Sequence, residues 1–319
     1  MSQSRLGQAA GGARPTGPGE VGISDTSSVT ERMSVVFQGE PGAFSEEAVL
    51  VFFGDGDAAP ERTAVPTWRA VFEMVADGSA DRGVIAIESS LAGSIRETYD
   101  LLAEFFDAGI RIVGEVSVPV RLALLALPGQ EIGSIERVYS HAQALAQADE
   151  FLRSRDWQVL TTYNTAGAAR MIADRRERGA AAVASPRVAD LYGLEVVAAD
   201  VQSGDENRTR FAILAREGER NEGAPAPEAA AGPRRTTLVF AVRNVPGSLH
   251  RCLGAFAARG VNLSRLESRP ARRARWEYVF WVDVDADAAE PACAAALDEL
   301  RAETEMVRIL GSYPRATED

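Results

Sequence analysis

The sequence predicts an α/β protein made of a large domain and a small domain, and three observations support that prediction. Short apolar runs alternate with helical patterns through the first two thirds of the chain, as is typical of α/β sheets. Segment 217–235 contains prolines and glycines but no large apolar side chain, which indicates a linker. The residues that follow have the β-α-β-β-α-β order of a ferredoxin-like sandwich.

The same pattern predicts the domain bounds. Residues 1–32 are rich in Gly, Ser, Pro and Thr and lack apolar periodicity, so we expect a disordered tail. They also lack the apolar core of about 7–15 residues that a secretory signal needs. The large domain then covers 33–216, the linker 217–235, and the small domain 236–314.

Composition excludes several classes of function. The chain has 319 residues and a net charge of −12, whereas a nucleic-acid partner requires a basic face. No apolar run approaches the ~18 residues of a membrane span. Two cysteines, Cys252 and Cys293, are too few for a disulfide framework and favour a reducing cytoplasm. Two histidines, His141 and His250, argue against a histidine-rich metal site.

In the large domain, a strand at Ser34–Gln38 leads to a helix from Ser45, and a strand at Gly83–Ile87 leads to a helix from Gly93. Further predicted strands cover 111–118, 137–140, 159–163, 180–185 and 210–215. Small polar residues follow several strands, at 39–45, 88–90, 140–141, 164–166 and 185. Ligands of open α/β sheets bind at the carboxyl ends of strands, where helix N-termini present free N–H groups, so this pattern predicts a pocket for carboxylates. At any single turn, an ordinary helix N-cap explains the same residues.

The small domain begins with an alternating strand at 237–243 and a helix at 247–259, whose apolar residues recur at helical spacing. A short strand at 262–268 and a strongly β segment at 276–285 follow. An Ala-rich helix opened by Pro291 and a closing strand at 306–310 complete the order. The module contains no obvious catalytic group, so we interpret it as a binding or pairing unit.

Separated motifs occur in order along the chain. They are G-x-x-G-x-F-S at 39–45, IESSLAGS at 87–94, SHAQALAQ at 140–147, TA at 165–166, LYGL at 191–194, NRTRF at 207–211, PGSL at 246–249 and ESRP at 267–270. Together they resemble the prephenate dehydratases that carry a C-terminal ACT regulatory domain. The resemblance implies a two-lobed, periplasmic-binding-protein-like catalytic domain followed by a ferredoxin-like βαββαβ ACT domain.

The resemblance also implies a reaction, the conversion of prephenate to phenylpyruvate, CO₂ and water in L-phenylalanine biosynthesis. Aromatisation of the ring drives it, so the site needs hydroxyl and amide donors, a cation or helix termini for carboxylate, and no metal or cofactor. By the same resemblance, the catalytic residues are Thr209, Arg210, Ser140 and Gln147. The substrate-binding residues are Glu88, Ser89, Ser90, Gly93, Thr165 and Phe211.

Each of these residues has an implied catalytic or binding role, and most also have a purely structural interpretation. Thr209 is expected to donate a hydrogen bond to the leaving hydroxyl, or else to bond backbone at a strand edge. Arg210 is expected to bind a carboxylate bidentately, or else to form a structural salt bridge between the lobes. Thr165 is expected in the cleft or as an N-cap, and Phe211 in the core beneath the site. For His141, a packed, hydrogen-bonded side chain is favoured over a general acid.

Position 89 departs from the family pattern, which usually has Asn where this chain has Ser89. Serine offers fewer hydrogen bonds than asparagine, which leaves open a non-aromatising prephenate decarboxylase. The sequence also leaves open an arogenate dehydratase, which performs the same chemistry on an amino-acid side chain. A non-catalytic small-molecule binding protein is a third competing function, since a two-lobed fold also suits binding alone.

The ACT resemblance implies feedback regulation. ACT modules pair side by side and bind a free amino acid at the shared interface, so we expect a homodimer or tetramer with L-phenylalanine as effector. The implied effector residues are Gly247, Ser248, Leu249, Asn262, Glu267, Ser268, Arg269 and Pro270. Glu267 and Arg269 could instead serve the dimer contact alone.

Overall fold

A computed structural model describes residues 32–204, 206–218, 232–242, 245–270 and 278–316. The predicted disordered tail, apart from its last residue, and the centre of the predicted linker lie outside the described residues. None of the helices in those ranges is long and apolar enough to cross a membrane.

The first lobe is built on a sheet of order β2-β1-β3-β11-β5, with the short β4 paired to β3. Its elements are β1 (Ser34–Gln38), α1 (Phe44–Phe53), β2 (Glu61–Val65), α2 (Trp68–Asp77), β3 (Arg82–Ser89), β4 (Gly93–Ser94), α3 (Arg96–Glu104), β5 (Ile110–Pro119) and, later in the chain, β11 (Arg208–Arg216). β1 runs parallel to β2 and β3, whereas β11 is antiparallel to both β3 and β5.

The second lobe is a separate sheet of order β10-β6-β9-β7-β8. Its elements are β6 (Ala123–Ala126), β7 (Arg137–His141), α4 (Ala142–Gln147), α5 (Asp149–Arg153), β8 (Gln158–Thr162), α6 (Thr165–Arg175), β9 (Ala180–Ala184), α7 (Arg187–Tyr192) and β10 (Glu195–Ala198). The chain passes from the first sheet to the second after β5 and returns before β11. The predicted two-lobed α/β fold class is therefore confirmed.

The C-terminal domain has the predicted βαββαβ order, with a sheet of order β13-β14-β12-β15. Its elements are β12 (Arg234–Val242), α8 (Ser248–Ala257), β13 (Leu263–Pro270), β14 (Tyr278–Val284), α9 (Pro291–Glu303) and β15 (Thr304–Pro314). Both helices cover one face of this sheet, where Phe240, Val282 and Leu297 form its core. The predicted starting residue of the third strand, Trp276, lies outside the described residues.

β12 begins earlier than the sequence indicates. Arg234 and Arg235, which the predicted linker included, pair with Pro314 and Tyr313 of β15. Local sequence could not indicate this extension, because two arginines carry no strand signal and the pairing depends on a distant strand. The predicted domain bounds themselves stay a prediction.

The other face of the C-terminal sheet packs on the first lobe. Trp281 and Tyr313 share a buried core with Tyr99 and Leu214 of the first lobe. β15 approaches β5 so closely that a Cβ on Gly311 would lie 2.1 Å from the Ile112 carbonyl oxygen. Only glycine fits at that position, so the two sheets lie in direct contact.

Candidate active site

Thr209 and Ser89 are cross-strand neighbours at the carboxyl end of β3. In the register of β11, Thr209 lies opposite Ser89 on one side and Val118 on the other. Ser89 is 1% exposed, and its Oγ accepts from the backbone N–H groups of Leu91 at 3.4 Å and Ala92 at 3.3 Å. The Thr209 hydroxyl makes no hydrogen bond within the described residues. It is therefore available to a ligand.

A β-bulge in β3 sets this arrangement. Arg210 lies opposite Glu88 and Phe211 lies opposite Ala86, so Ile87 has no partner of its own in β11. The two residues of a bulge point to the same side of the sheet, and alternation then resumes. Glu88 accordingly faces the C-terminal domain with Ile87, and Ser89 turns to the side of Thr209.

Arg210 occupies the opposite face of β11 from Thr209. Its Nη2 lies 2.7 Å from Asp283 Oδ2 and 2.8 Å from Glu88 Oε2, and its Nη1 donates to Glu115 Oε2 at 3.2 Å. Burial lowers the pKa of Arg210, but Asp283 and other neighbours raise it above its ordinary value, so the guanidinium stays charged.

This placement turns Arg210, which was predicted to be catalytic, and Glu88, which was predicted to bind substrate, away from the side of Thr209. Because neighbouring residues of a strand alternate between faces, a Thr209 that faces the cleft sends Arg210 to the other side. Arg210 instead forms structural salt bridges with Glu88 and Glu115 of its own lobe and with Asp283 of the C-terminal domain, whereas the structural alternative predicted a bridge between the lobes. The bulge moves Glu88 to the same side, which no sequence pattern indicated.

Ser140 and Gln147 lie in the second lobe. Ser140, at the end of β7, is fully buried, and its Oγ donates to the Val183 carbonyl oxygen at 2.5 Å, which ties β7 to β9. Gln147 ends α4, and its backbone carbonyl accepts from Ser203 N at 2.6 Å. His141 is exposed and caps α4, accepting at Nδ1 from Gln143 N at 3.3 Å. It is hydrogen-bonded, as favoured, but not packed.

The other predicted substrate-binding residues lie in different parts of the two lobes. Thr165 begins α6 but is not its cap, because the Asn164 side chain accepts from Gly167 N. Ser90 Oγ donates to the Glu206 carbonyl oxygen at 3.1 Å and accepts from Arg208 N at 2.9 Å, which fixes the loop after β3. Gly93 pairs with Ser89 at a φ of 73° that favours glycine. Phe211 is 2% exposed, in the core against α1.

Sequence reasoning gave no role to Asn207, the first residue of the NRTRF motif. Asn207 is 3% exposed, and neither atom of its side-chain amide has a hydrogen-bond partner within the described residues. A buried amide without partners is costly, so this amide is a candidate ligand contact. The spacing could have identified it, because residues two apart in an extended chain lie on the same side and Asn207 is two residues before Thr209.

Sequence reasoning also missed the contacts that close the two lobes on each other. Glu40 pairs with Arg170 of α6 at 2.6 Å, and Glu46 of α1 pairs with Arg187 of α7 at 3.2 Å. Gly42 has a φ of 88°, and a Cβ added at this position would lie only 2.9 Å from the Val188 side chain. The turn at 39–45 therefore acts as an interlobe contact as well as a helix start.

Glu47 supplies a pH-dependent prediction. Burial raises the pKa of this α1 carboxyl, although Arg187 and a hydrogen bond from Ser185 lower it. A raised folded-state pKa contributes stability at low pH that is lost as pH rises through that pKa. The free energy of unfolding of Glu47→Gln, relative to wild type, should therefore increase as the pH rises above the ordinary glutamate pKa of 4.5.

Urea unfolding at several pH values measures this difference. The matched control is Glu61→Gln at the exposed start of β2, measured in the same way. A constant or decreasing difference for Glu47→Gln would contradict the prediction.

The predicted effector residues fall into two groups. Gly247 opens α8, and Ser248 and Leu249 follow it, at the sheet end that also carries Arg269 and Pro270. Asn262 lies at the other end of α8, about 15 Å away by helix rise, and donates to Asp285 Oδ2 at 2.8 Å. One copy of the chain therefore does not bring all of these residues together.

β13 divides the ESRP motif between two faces. Ser268 and Pro270 are exposed, whereas Glu267 and Arg269 face the first lobe. Arg269 lies 3.1 Å from Asp100 and donates to the Arg96 carbonyl oxygen at 3.0 Å. The ESRP motif thus contacts the helix that follows the 87–94 segment.

Comparison with known proteins gives two matching family models. The model for "Prephenate dehydratase" matches residues 35–219, and the model for "ACT domain" matches residues 236–302. Arogenate dehydratase 1 of Petunia hybrida is 40% identical over 300 residues, covering 88% of this chain and 67% of that protein.

Two solved structures are also similar. Prephenate dehydratase from Arthrobacter aurescens in complex with L-Phe is 31% identical, with a TM-score of 0.75 over 89% of this chain and 90% of that chain. GqqA, described as a novel type of quorum quenching acylase, is 34% identical, with a TM-score of 0.77 over 89% of this chain and 98% of that chain.

Proposed function

The chain belongs to the prephenate dehydratase family and carries a C-terminal ACT domain, and from that membership we propose that it converts prephenate to phenylpyruvate, CO₂ and water. The observation that carries the proposal is the unengaged Thr209 hydroxyl beside buried Ser89 at the carboxyl end of β3. A donor at this place can hydrogen-bond the hydroxyl that leaves as the ring aromatises.

The surroundings of Thr209 suit a substrate with two carboxylates. α1 begins beyond the carboxyl end of β1 and α6 begins beyond that of β8, and in our proposal the N-terminal N–H groups of these two helices bind the carboxylates. The Asn207 amide adds an unpaired donor and acceptor. Arg210 is paired with carboxylates at the other face of the sheet, so in our proposal it does not bind the substrate. The helix N-termini and the Asn207 amide orient the substrate instead, and Thr209 assists departure of the hydroxyl.

We further propose that L-phenylalanine binds the ACT domain and inhibits the enzyme. The ACT match and the L-Phe complex of the Arthrobacter relative support this proposal. The two separated groups of effector residues support a site shared by two chains, hence a homodimer or a larger assembly. A cytoplasmic location stays a prediction from cysteine usage.

The competing functions are less favoured. The Ser89 hydroxyl accepts from two backbone N–H groups as an Asn side chain would in an Asx-turn, so Ser89 does not by itself favour a prephenate decarboxylase. Arogenate differs from prephenate only in its side chain, and the Petunia relative keeps it as a second candidate substrate.

One assay tests the function. Purified protein with prephenate should yield phenylpyruvate, detected by the ultraviolet absorbance of its enolate, and L-phenylalanine should slow the reaction. Arogenate assayed in parallel reports substrate preference through kcat/KM. If neither prephenate nor arogenate were turned over, the proposal would be excluded. A dihydro product from prephenate, in place of phenylpyruvate, would indicate the decarboxylase.

A further inference from the structure

A buried ionic cluster joins the first lobe to the ACT domain directly behind the candidate active site. The side chain of Glu115 is 1% exposed, that of Asp283 2%, that of Arg235 8% and that of Arg210 14%. Arg210 belongs to the strand that carries Thr209, whereas Asp283 belongs to β14 of the ACT sheet. The cluster therefore links the catalytic strand to the regulatory domain within one chain.

Asp283 is held in a single orientation. Its Oδ1 accepts from Thr237 Oγ1 at 2.7 Å, and its Oδ2 accepts from Arg210 Nη2 at 2.7 Å. Thr237 is itself hydrogen-bonded to Tyr313 OH at 2.6 Å. Burial raises the pKa of Asp283, but Arg210 and Thr237 outweigh it and hold that pKa below its ordinary value. The position of this carboxylate is thus set by the ACT sheet.

Arg210 connects Asp283 to the active site. Its Nη2 contacts both Asp283 and Glu88, and Glu88 is the residue opposite Arg210 at the bulge of β3. The bulge in turn places Ser89 beside Thr209. Without Asp283, Arg210 is no longer bound to the ACT sheet. Its ion pairs with the half-buried Glu88 and with Glu115 must then hold the bulge.

We propose that Asp283 of the ACT domain is a positioning residue for catalysis, which acts through Arg210 to fix Thr209 relative to Ser89. The inference rests on the proposed function for its kinetic consequence. It makes docking of the ACT domain part of the geometry of the active site, and it gives the effector domain a direct contact with the catalytic strand.

The test compares Asp283→Asn with the control Asp298→Asn on α9 of the same domain, whose side chain is 77% exposed and pairs with Arg301 away from the cluster. Asparagine keeps an acceptor for Thr237 but removes the charge that binds Arg210. We expect kcat without L-phenylalanine to fall on the order of 10- to 100-fold, because small displacements of reacting groups are costly. KM should stay near the wild-type value, since Asp283 lies behind the sheet. The control should behave as wild type.

Two further measurements separate positioning from loss of structure. Adding Asp283→Asn to Arg210→Gln should lower kcat little beyond Arg210→Gln alone, because both act through one contact. Hydrogen exchange of segment 206–211 should rise in Asp283→Asn and not in Asp298→Asn, whether or not prephenate is turned over. If Asp283→Asn fails to fold, Thr237→Val should give a smaller fall in kcat with unchanged KM.

Equal exchange in both aspartate variants, a changed KM with unchanged kcat, or additive effects with Arg210→Gln would overturn the inference. A wild type that turns over neither prephenate nor arogenate would overturn the proposed function alone. In that case the exchange measurement still decides the positioning role.

Discussion

Replacing Thr209 with valine should lower kcat by about 10²- to 10⁴-fold and leave KM nearly unchanged. Valine has the shape and β-propensity of threonine, so the change removes only the hydroxyl that we expect to assist the leaving group. That hydroxyl makes no hydrogen bond within the described residues, so the fold loses no contact there. Steady-state kinetics with prephenate measures the effect.

The matched control is Thr63→Val on the edge strand β2, which removes the same group from an exposed side chain. We expect wild-type kcat and an unchanged melting temperature for it. If Thr209→Val kept more than about half of the wild-type kcat, Thr209 would not be the catalytic hydroxyl, and Ser89 and Asn207 would become the candidates.

Replacing Glu115 with glutamine should lower the free energy of unfolding by about 3–5 kcal/mol. Glu115 accepts from Arg235 Nη1 at 2.7 and 3.0 Å, and it also contacts Arg210 at 3.2 Å. The neutral amide leaves two buried guanidinium groups short of negative charge. Urea unfolding followed by circular dichroism measures the loss.

The matched control is Glu136→Gln, whose side chain is 74% exposed and pairs with Arg137 at 3.4 Å. We expect a loss below about 1 kcal/mol for this surface pair. The double variant Glu115→Leu, Arg235→Met should recover part of the loss, because apolar side chains can replace a buried ion pair. A Glu115→Gln protein as stable as Glu136→Gln would contradict the role of the cluster.

Most of the fold was predictable because it depends on local patterns. Alternating apolar runs gave the α/β class, and the order of elements after residue 236 gave the βαββαβ domain. Strand register was not predictable: the bulge that skips Ile87 decides that Glu88 faces the ACT domain and Ser89 faces Thr209. A one-residue irregularity reverses which face a side chain occupies, and the chain carries no local signal for it.

By itself the sequence determined the fold class, the family motifs and the segment that carries Thr209, because these depend on composition, periodicity and the order of residues. Only the tertiary structure decided the partners of buried charges. Arg210 lies next to Thr209 in the chain, yet it binds Asp283, which is 73 residues away. A buried guanidinium must find carboxylates wherever packing brings them, and packing is a property of the whole chain.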